Sequence, residues 1–206
     1  MSKVFDLFII GGGINGAGIA RDAAGRGLSV CLADKGEIGG ATSSWSTKLI
    51  HGGLRYLENY EFKLVRESLI EREIVYKIAK PISKPIPFII PYVDKIRPAW
   101  LIKIGLFLYD NLGGKSNIPK SKTLDLKKKF PNILKEKYKT GFQYFDIQID
   151  DKKLTKLNVK DAKRNKAKIL EYNKVKKAEI IDNEWVISLQ SGKKIKSKVL
   201  INASGP

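Results

Sequence analysis

The chain opens on an apolar, largely β-branched and aromatic run, Val4–Ile10, that stops at three consecutive glycines. Seven residues with one charge read as a buried parallel strand. Residues 15–26 carry small side chains at close spacing and no proline, which predicts a helix, and Gly27 follows where a left-handed cap is usual. Residues 29–34 form a second buried strand, so residues 4–34 make a βαβ unit. Residues 61–79 place Phe62, Val65, Leu69, Ile74 and Ile78 on an imperfect helical stripe, with Arg66, Glu67, Glu71 and Arg72 among the polar positions. Four prolines within 81–91 exclude a helix interior or a strand that is central throughout. A second long helix is expected over 97–112, closed by Gly113 and Gly114, then a strand over 140–146 and a helix over 150–165 that opens with acids at its positive end. Short strands follow at 168–172, Val175–Ile181, Glu184–Leu189 and 199–203, with turns at 182–183 and 191–192. The order is α/β with an inserted helical and extended region. A sheet strand three residues before Pro206 is an unexpected natural C-terminus, so a truncated polypeptide is expected.

Composition narrows this picture little. With 43% hydrophobic and 29% charged residues in 206, the chain is ordinary for a globular protein. The net charge of +18 is mostly lysine, densest at 120–139 and 152–177, where the few aromatic residues do not interleave as base-stacking platforms would require. A solvated lysine surface is the first reading, attraction to an anionic membrane face the second, and nucleic acid is set aside. The single cysteine, Cys31, lies within a strand, is read as packing, and points to a reducing compartment. No signal peptide precedes Val4, and the apolar stretch 99–109 is far short of the roughly 20 residues that span a bilayer. The expected location is cytoplasmic, with peripheral contact at the inner face of the cytoplasmic membrane as an option.

The chemistry begins at Gly11, Gly13 and Gly16, a G-x-G-x-x-G pattern directly after a strand and opening a helix. Gly11 permits the tight turn, Gly13 lets the backbone approach a pyrophosphate, and Gly16 lets helix and strand pack closely. The helix N-terminus offers amides and a positive dipole end to phosphates. Asp34 closes the second strand where an acid accepts hydrogen bonds from a ribose diol, or serves as a strand-end turn residue. An acid here argues against NADP, and the motif leaves NAD and FAD open.

The stretch 10–27, IGGGINGAGIARDAAGRG, resembles the N-terminal signature of FAD-dependent glycerol-3-phosphate dehydrogenases. The blocks ATSSWSTKLIHGGLRYLE at 41–58 and RPAWLIKIGLFLYD at 97–110 are similar to that family as well. So is NASGP at 202–206, where the family usually has threonine for Ser204. The resemblance covers essentially the whole chain, weakly at 116–139, and family members are far longer. It implies a Rossmann-type FAD-binding domain with part of an inserted substrate domain, divided as 1–80, 81–145 and 146–206.

The resemblance implies FAD, with Gly11, Gly13, Asn15 and Gly16 at the pyrophosphate and Asp34 at the adenosine ribose. Thr42, Ser43 and Ser44 would follow the ribityl and diphosphate, and Lys48 and Leu49 would lie near the isoalloxazine, where a cation stabilises reduced flavin. Val175 matches a position whose backbone meets adenine, or else belongs to the core. Arg55 and Tyr56 match the substrate site, and an arginine fork suits a phosphate. His51, the one histidine, is a weak candidate for the base; a lone histidine is more often structural, and the base is otherwise unassigned. No metal site is expected. The implied reaction is oxidation of sn-glycerol 3-phosphate to dihydroxyacetone phosphate, with electrons passed to a quinone. The helix at 100–109 is either buried or a surface that dips into the membrane interface. Two alternatives stand: an oxygen-using glycerol-phosphate or amine oxidase of the same superfamily, and a non-catalytic basic binding protein on this scaffold.

Overall fold

The computed structural model describes residues 3–41, 45–93, 96–131 and 137–205. In chain order, β1 (Val4–Ile10), α1 (Ile14–Gly25) and β2 (Val30–Ala33) come first. Then follow β3 (Leu49–Ile50), α2 (Phe62–Ile78), β4 (Ser83–Pro91), α3 (Ala99–Asn111), β5 (Lys122–Asp125), α4 (Leu126–Lys129) and β6 (Thr140–Ile149). The last stretch holds α5 (Asp151–Arg164), β7 (Lys168–Leu170), β8 (Val175–Ile181), β9 (Glu184–Leu189) and β10 (Lys194–Asn202). Two units result, residues 1–47 with 150–206, and residues 48–149. These borders differ from the sequence-based ones at 80/81 and 145/146, because β3 pairs with β6 and so joins residues 49–50 to the second unit.

The first unit is built on a six-stranded sheet in the order β7-β2-β1-β10-β9-β8. β1 pairs in parallel with both β2 and β10, the place its nearly continuous apolar sequence demands. On one face, Ala17, Ala20 and Ala24 of α1 let that helix close on Leu7, Ile9 and Leu32, with Val159 and Ala162 of α5 in the same cluster. On the other face Phe5, Phe8, Cys31 and Ile187 pack together. Fully burying a side chain such as Phe8 contributes about 1.5–3 kcal/mol. α1 ends in a Schellman cap: Gly27, at φ +86°, donates to the Ala24 carbonyl, and the Leu28 amide reaches back to Ala23. The final strand is longer than the sequence suggests. Lys194, Lys196 and Lys198 hide an alternation whose inward members are Ile195 and Ser197, and these residues pair antiparallel with β9 or parallel with β1.

In the second unit β6 is the central strand, with β4 on one side and β3 and β5 on the other. β4 carries Pro85, Pro87 and Pro91, all at odd positions. The Tyr92 amide donates to Thr140 of β6 at 2.9 Å, so even positions face the ladder and the three prolines present their missing donors to the edge. α2 departs from the expected stripe. Val65, Leu69 and Arg72 form its buried face, at i, i+4 and i+7, while Phe62, Ile74 and Ile78 are exposed. Arg72, one of the polar positions of the expected stripe, is buried: its aliphatic stem continues the apolar row and its head meets a buried carboxylate. α3 buries Leu106 and Tyr109 and leaves Trp100, Leu101, Ile104 and Phe107 exposed, Trp100 at 62% and Phe107 at 65%. Among the described residues no helix is long and apolar enough to cross a membrane.

Candidate functional site

The glycine run turns between β1 and α1 with almost no spare volume. Gly11 sits at φ +104°, a conformation glycine adopts without strain, and a Cβ there would collide with the Ala203 carbonyl and lie 2.7 Å from the Ser204 Cα. Its amide donates to the Ala33 carbonyl at 2.8 Å, and the Ala203 amide donates to Ile10 at 2.8 Å. The ends of β1, β2 and β10 therefore meet at one turn. Gly13 is the extended N-cap of α1 and Asn15 lies exposed in its first turn. The first amides of this 12-residue helix have no partner within it, leaving a positive end beside the turn.

Asp34 closes the turn from the side. Its Oδ2 accepts the Gly12 amide at 2.6 Å and its Oδ1 accepts the Gly36 amide at 2.7 Å. Asp34 is half-buried, and each carboxylate oxygen keeps a second lone pair for a hydroxyl donor. The Gly12 contact was not legible from the motif, which assigns roles to Gly11, Gly13 and Gly16 and passes over the residue between. A Cβ on Gly12 would overlap Ile38 and crowd Asp34. Val175 opens β8, half-buried against the cluster around Phe8 and Ile187.

The remaining assigned residues fall in the second unit, apart from Thr42, Ser43 and Ser44, which lie outside the described residues. Lys48 has a left-handed backbone, φ +57°, and its carbonyl accepts the Ile149 amide. Leu49 pairs with Gln148 in β3. His51 is exposed and directly precedes Gly52 and Gly53. Gly53, at φ +72°, caps the 3₁₀ turn Leu54–Asn59, from which Arg55 and Tyr56 project as exposed side chains. Glu58 on the same turn pairs with both terminal nitrogens of Arg97, 2.7 Å for the second contact. The hydrogen bond from Arg97 holds the Glu58 carboxyl below its ordinary range.

Beneath this turn lies a cluster of polar side chains that no motif announces. Arg72, 4% exposed, places Nη1 2.7 Å from Asp146 Oδ1, and the Tyr109 hydroxyl donates to the same oxygen at 2.7 Å. Arg72 also donates to the Phe145 carbonyl at 3.1 Å, and its guanidinium carbon stands 5.2 Å from the centre of the Tyr109 ring. Burial, with the Asp146 carboxylate alongside, pushes the Tyr109 hydroxyl well above its ordinary range. Among the described residues no three His, Cys, Asp or Glu side chains gather as metal ligands.

A family model described as FAD dependent oxidoreductase matches residues 6–206, and the chain belongs to that family. It is 46% identical over 207 residues to the D-erythritol 1-phosphate dehydrogenase of Brucella abortus, covering 98% of this chain and 41% of that protein. It is 45% identical over 206 residues to the aerobic glycerol-3-phosphate dehydrogenase of Escherichia coli, again covering 98% and 41%. The solved glycerol-3-phosphate dehydrogenase from Bacillus halodurans, complexed with FAD, matches with a TM-score of 0.67 at 29% identity, over 99% of this chain and 35% of that one. The chain thus spans 41% of the length of the first curated relatives it matches. The fold is the Rossmann-type architecture of FAD-dependent oxidoreductases, and FAD is the cofactor. The turn fits that group: three glycines whose Cβ atoms would strike neighbouring atoms, a helix N-terminus, and an acid at the end of β2.

Proposed function

We propose that the protein oxidises glycerol 3-phosphate to dihydroxyacetone phosphate with FAD, passing electrons on to a membrane quinone. When bound, FAD supplies the acceptor for the hydride leaving the substrate carbon. Gly11, Gly13, Asn15 and Gly16 would hold its pyrophosphate and Asp34 its ribose. Thr42, Ser43, Ser44, Lys48 and Leu49 are assigned to the ribityl and ring end, and the Val175 backbone to adenine. Arg55 offers the substrate phosphate two parallel donors and Tyr56 one more. His51 is this chain's candidate for taking the substrate's hydroxyl proton. The observation that carries the reading is a single chain joining an FAD-type glycine turn, closed by Asp34, to a Gly53-capped turn bearing Arg55 and Tyr56.

The exposed row Trp100, Leu101, Ile104 and Phe107, with Lys103 exposed beside it, supports peripheral contact with a membrane from the cytoplasmic side, and through it quinone reduction. A net charge of +18 suits an anionic leaflet. A second reading, oxidation of a four-carbon polyol phosphate, is favoured by the 46% identity to D-erythritol 1-phosphate dehydrogenase. The test is dye-linked turnover on glycerol 3-phosphate, D-erythritol 1-phosphate and glycerol. Glycerol should fall on the order of 100-fold below the better phosphate ester in kcat/KM, and Arg55→Ala should remove most of that preference. Equal efficiency on glycerol would overturn the phosphate site. Peroxide release in place of quinone reduction would overturn the acceptor.

A further inference from the structure

The backbone that carries Arg55 is fastened from below. The Gly52 amide donates to the Tyr109 hydroxyl at 2.7 Å, with Asp146 Oδ1 at 3.4 Å. Tyr109 from α3 and Asp146 from β6 therefore receive one amide, and Arg72 from α2 holds both acceptors in place. Gly52 has no room to be anything else: a Cβ there would overlap Leu69 and lie 2.8 Å from the Tyr109 hydroxyl. Gly53 follows at φ +72°, and its carbonyl accepts the Tyr56 amide at 2.9 Å. Arg55 thus leaves a turn anchored three residues upstream by this cluster and downstream by the Glu58–Arg97 pair.

A buried ion pair is a poor source of stability, because desolvation offsets most of its attraction. Here Arg72 Nε even lacks a partner among the described residues. What such a cluster supplies is direction, since each member fixes the others and two of them hold the Gly52 amide. We infer that Arg72, Tyr109 and Asp146 are positioning residues for anion recognition. Tyr109 and Asp146 accept the Gly52 amide, Arg72 orients them, and together they set the pose in which Arg55 meets the substrate phosphate. This role rests on the reading of Arg55 as the phosphate contact, and that reading can stand where this role fails.

Tyr109→Phe in the flavin-loaded protein deletes the hydroxyl and keeps the ring packed on Tyr144. The KM for glycerol 3-phosphate and the inhibition constant of inorganic phosphate should both rise on the order of tenfold, with kcat within about threefold and flavin content unchanged. Amide exchange across residues 50–57 should quicken. Asp146→Asn should act the same way, and Arg72→Lys should retain more affinity than Arg72→Met. Loss of flavin in both Tyr109→Phe and Asp146→Asn would assign the cluster to folding and overturn the role. Folded variants with unchanged KM and phosphate inhibition overturn it too, while Arg55→Ala raising both constants leaves the phosphate reading intact. If Arg55→Ala moves neither constant, the phosphate reading falls and the positioning role falls with it.

Discussion

Gly16 packs against Gly11 so closely that a methyl group on Gly16 would overlap the Gly11 carbonyl oxygen. Two residues later in α1, Gly18 has nothing within 4 Å of the same position. The two glycines therefore answer the same substitution in opposite directions. Gly16→Ala must push helix away from strand at the pyrophosphate turn and should abolish flavin retention, read as the 450-nm absorbance of the purified protein. Gly18→Ala should keep the flavin and raise stability by about 1 kcal/mol, the usual cost of glycine in a helix interior. Flavin retained in Gly16→Ala would mean that the turn can relax and is no cradle.

The end of α5 predicts a gain. Ala167 donates to the Ala162 carbonyl and Lys166 to Lys163, a Schellman arrangement with a lysine where glycine is usual. Lys166 is exposed and holds φ +67°, which costs a side-chain-bearing residue energy that glycine does not pay. Lys166→Gly should stabilise the protein by about 0.5–1 kcal/mol, even though glycine loses more chain entropy on folding. Chemical denaturation of the two proteins checks it through the midpoint.

Elements bounded by turn chemistry were legible in advance. β8 and β9 lie where the sequence puts them because Asp182 and Asn183 both take left-handed conformations, φ +52° and +61°, as a two-residue hairpin requires. The glycine turn was legible because each role has a fixed spacing. The Arg72–Tyr109–Asp146 cluster was not, since its members stand 37 and 74 residues apart and each looks like an ordinary polar position in its own element. A helical stripe scored on apolar residues cannot show an arginine that completes it through its stem. β5 escaped for a related reason, lying within a lysine-rich stretch whose alternation charge obscures.

Acid should weaken the first unit through two carboxylates. Hydrogen bonds from Lys152 and then Lys156 lower Glu37 from 4.5 to about 2, and bonds from Lys198 and then Ser29 hold Asp6 well below its ordinary range. Groups depressed on folding add stability above their unfolded values and lose it as pH falls through the folded ones, so the loss runs from about pH 5 down to about pH 2. Glu37 is exposed enough for salt to screen the effect. Glu37→Gln should flatten the fall of Tm over that window at low ionic strength, and about 0.5 M salt should shrink the difference between the two proteins. An unchanged slope would remove Glu37 as a contributor.

Cys31 gives a probe of the same sheet from its interior. It lies in β2 with β1 on one side and β7 on the other, fully buried, and burial pushes its thiol from 9.0 up to about 12. Reaction with a maleimide or disulfide reagent needs both access and a thiolate, and the folded sheet withholds both. At about pH 8 the native protein should therefore label only at the rate at which β1, β2 and β7 separate, and the unfolded chain in urea should label within seconds to minutes. The raised thiol also sets a sign at high pH. The folded state holds the proton more tightly, so its contribution is complete below about pH 9 and is lost as pH rises toward about 12. Labelling that tracks global unfolding as denaturant is added would place Cys31 in the last part of the unit to open. Fast labelling of the native, flavin-loaded protein would show that β2 is accessible, contrary to its position between two parallel neighbours.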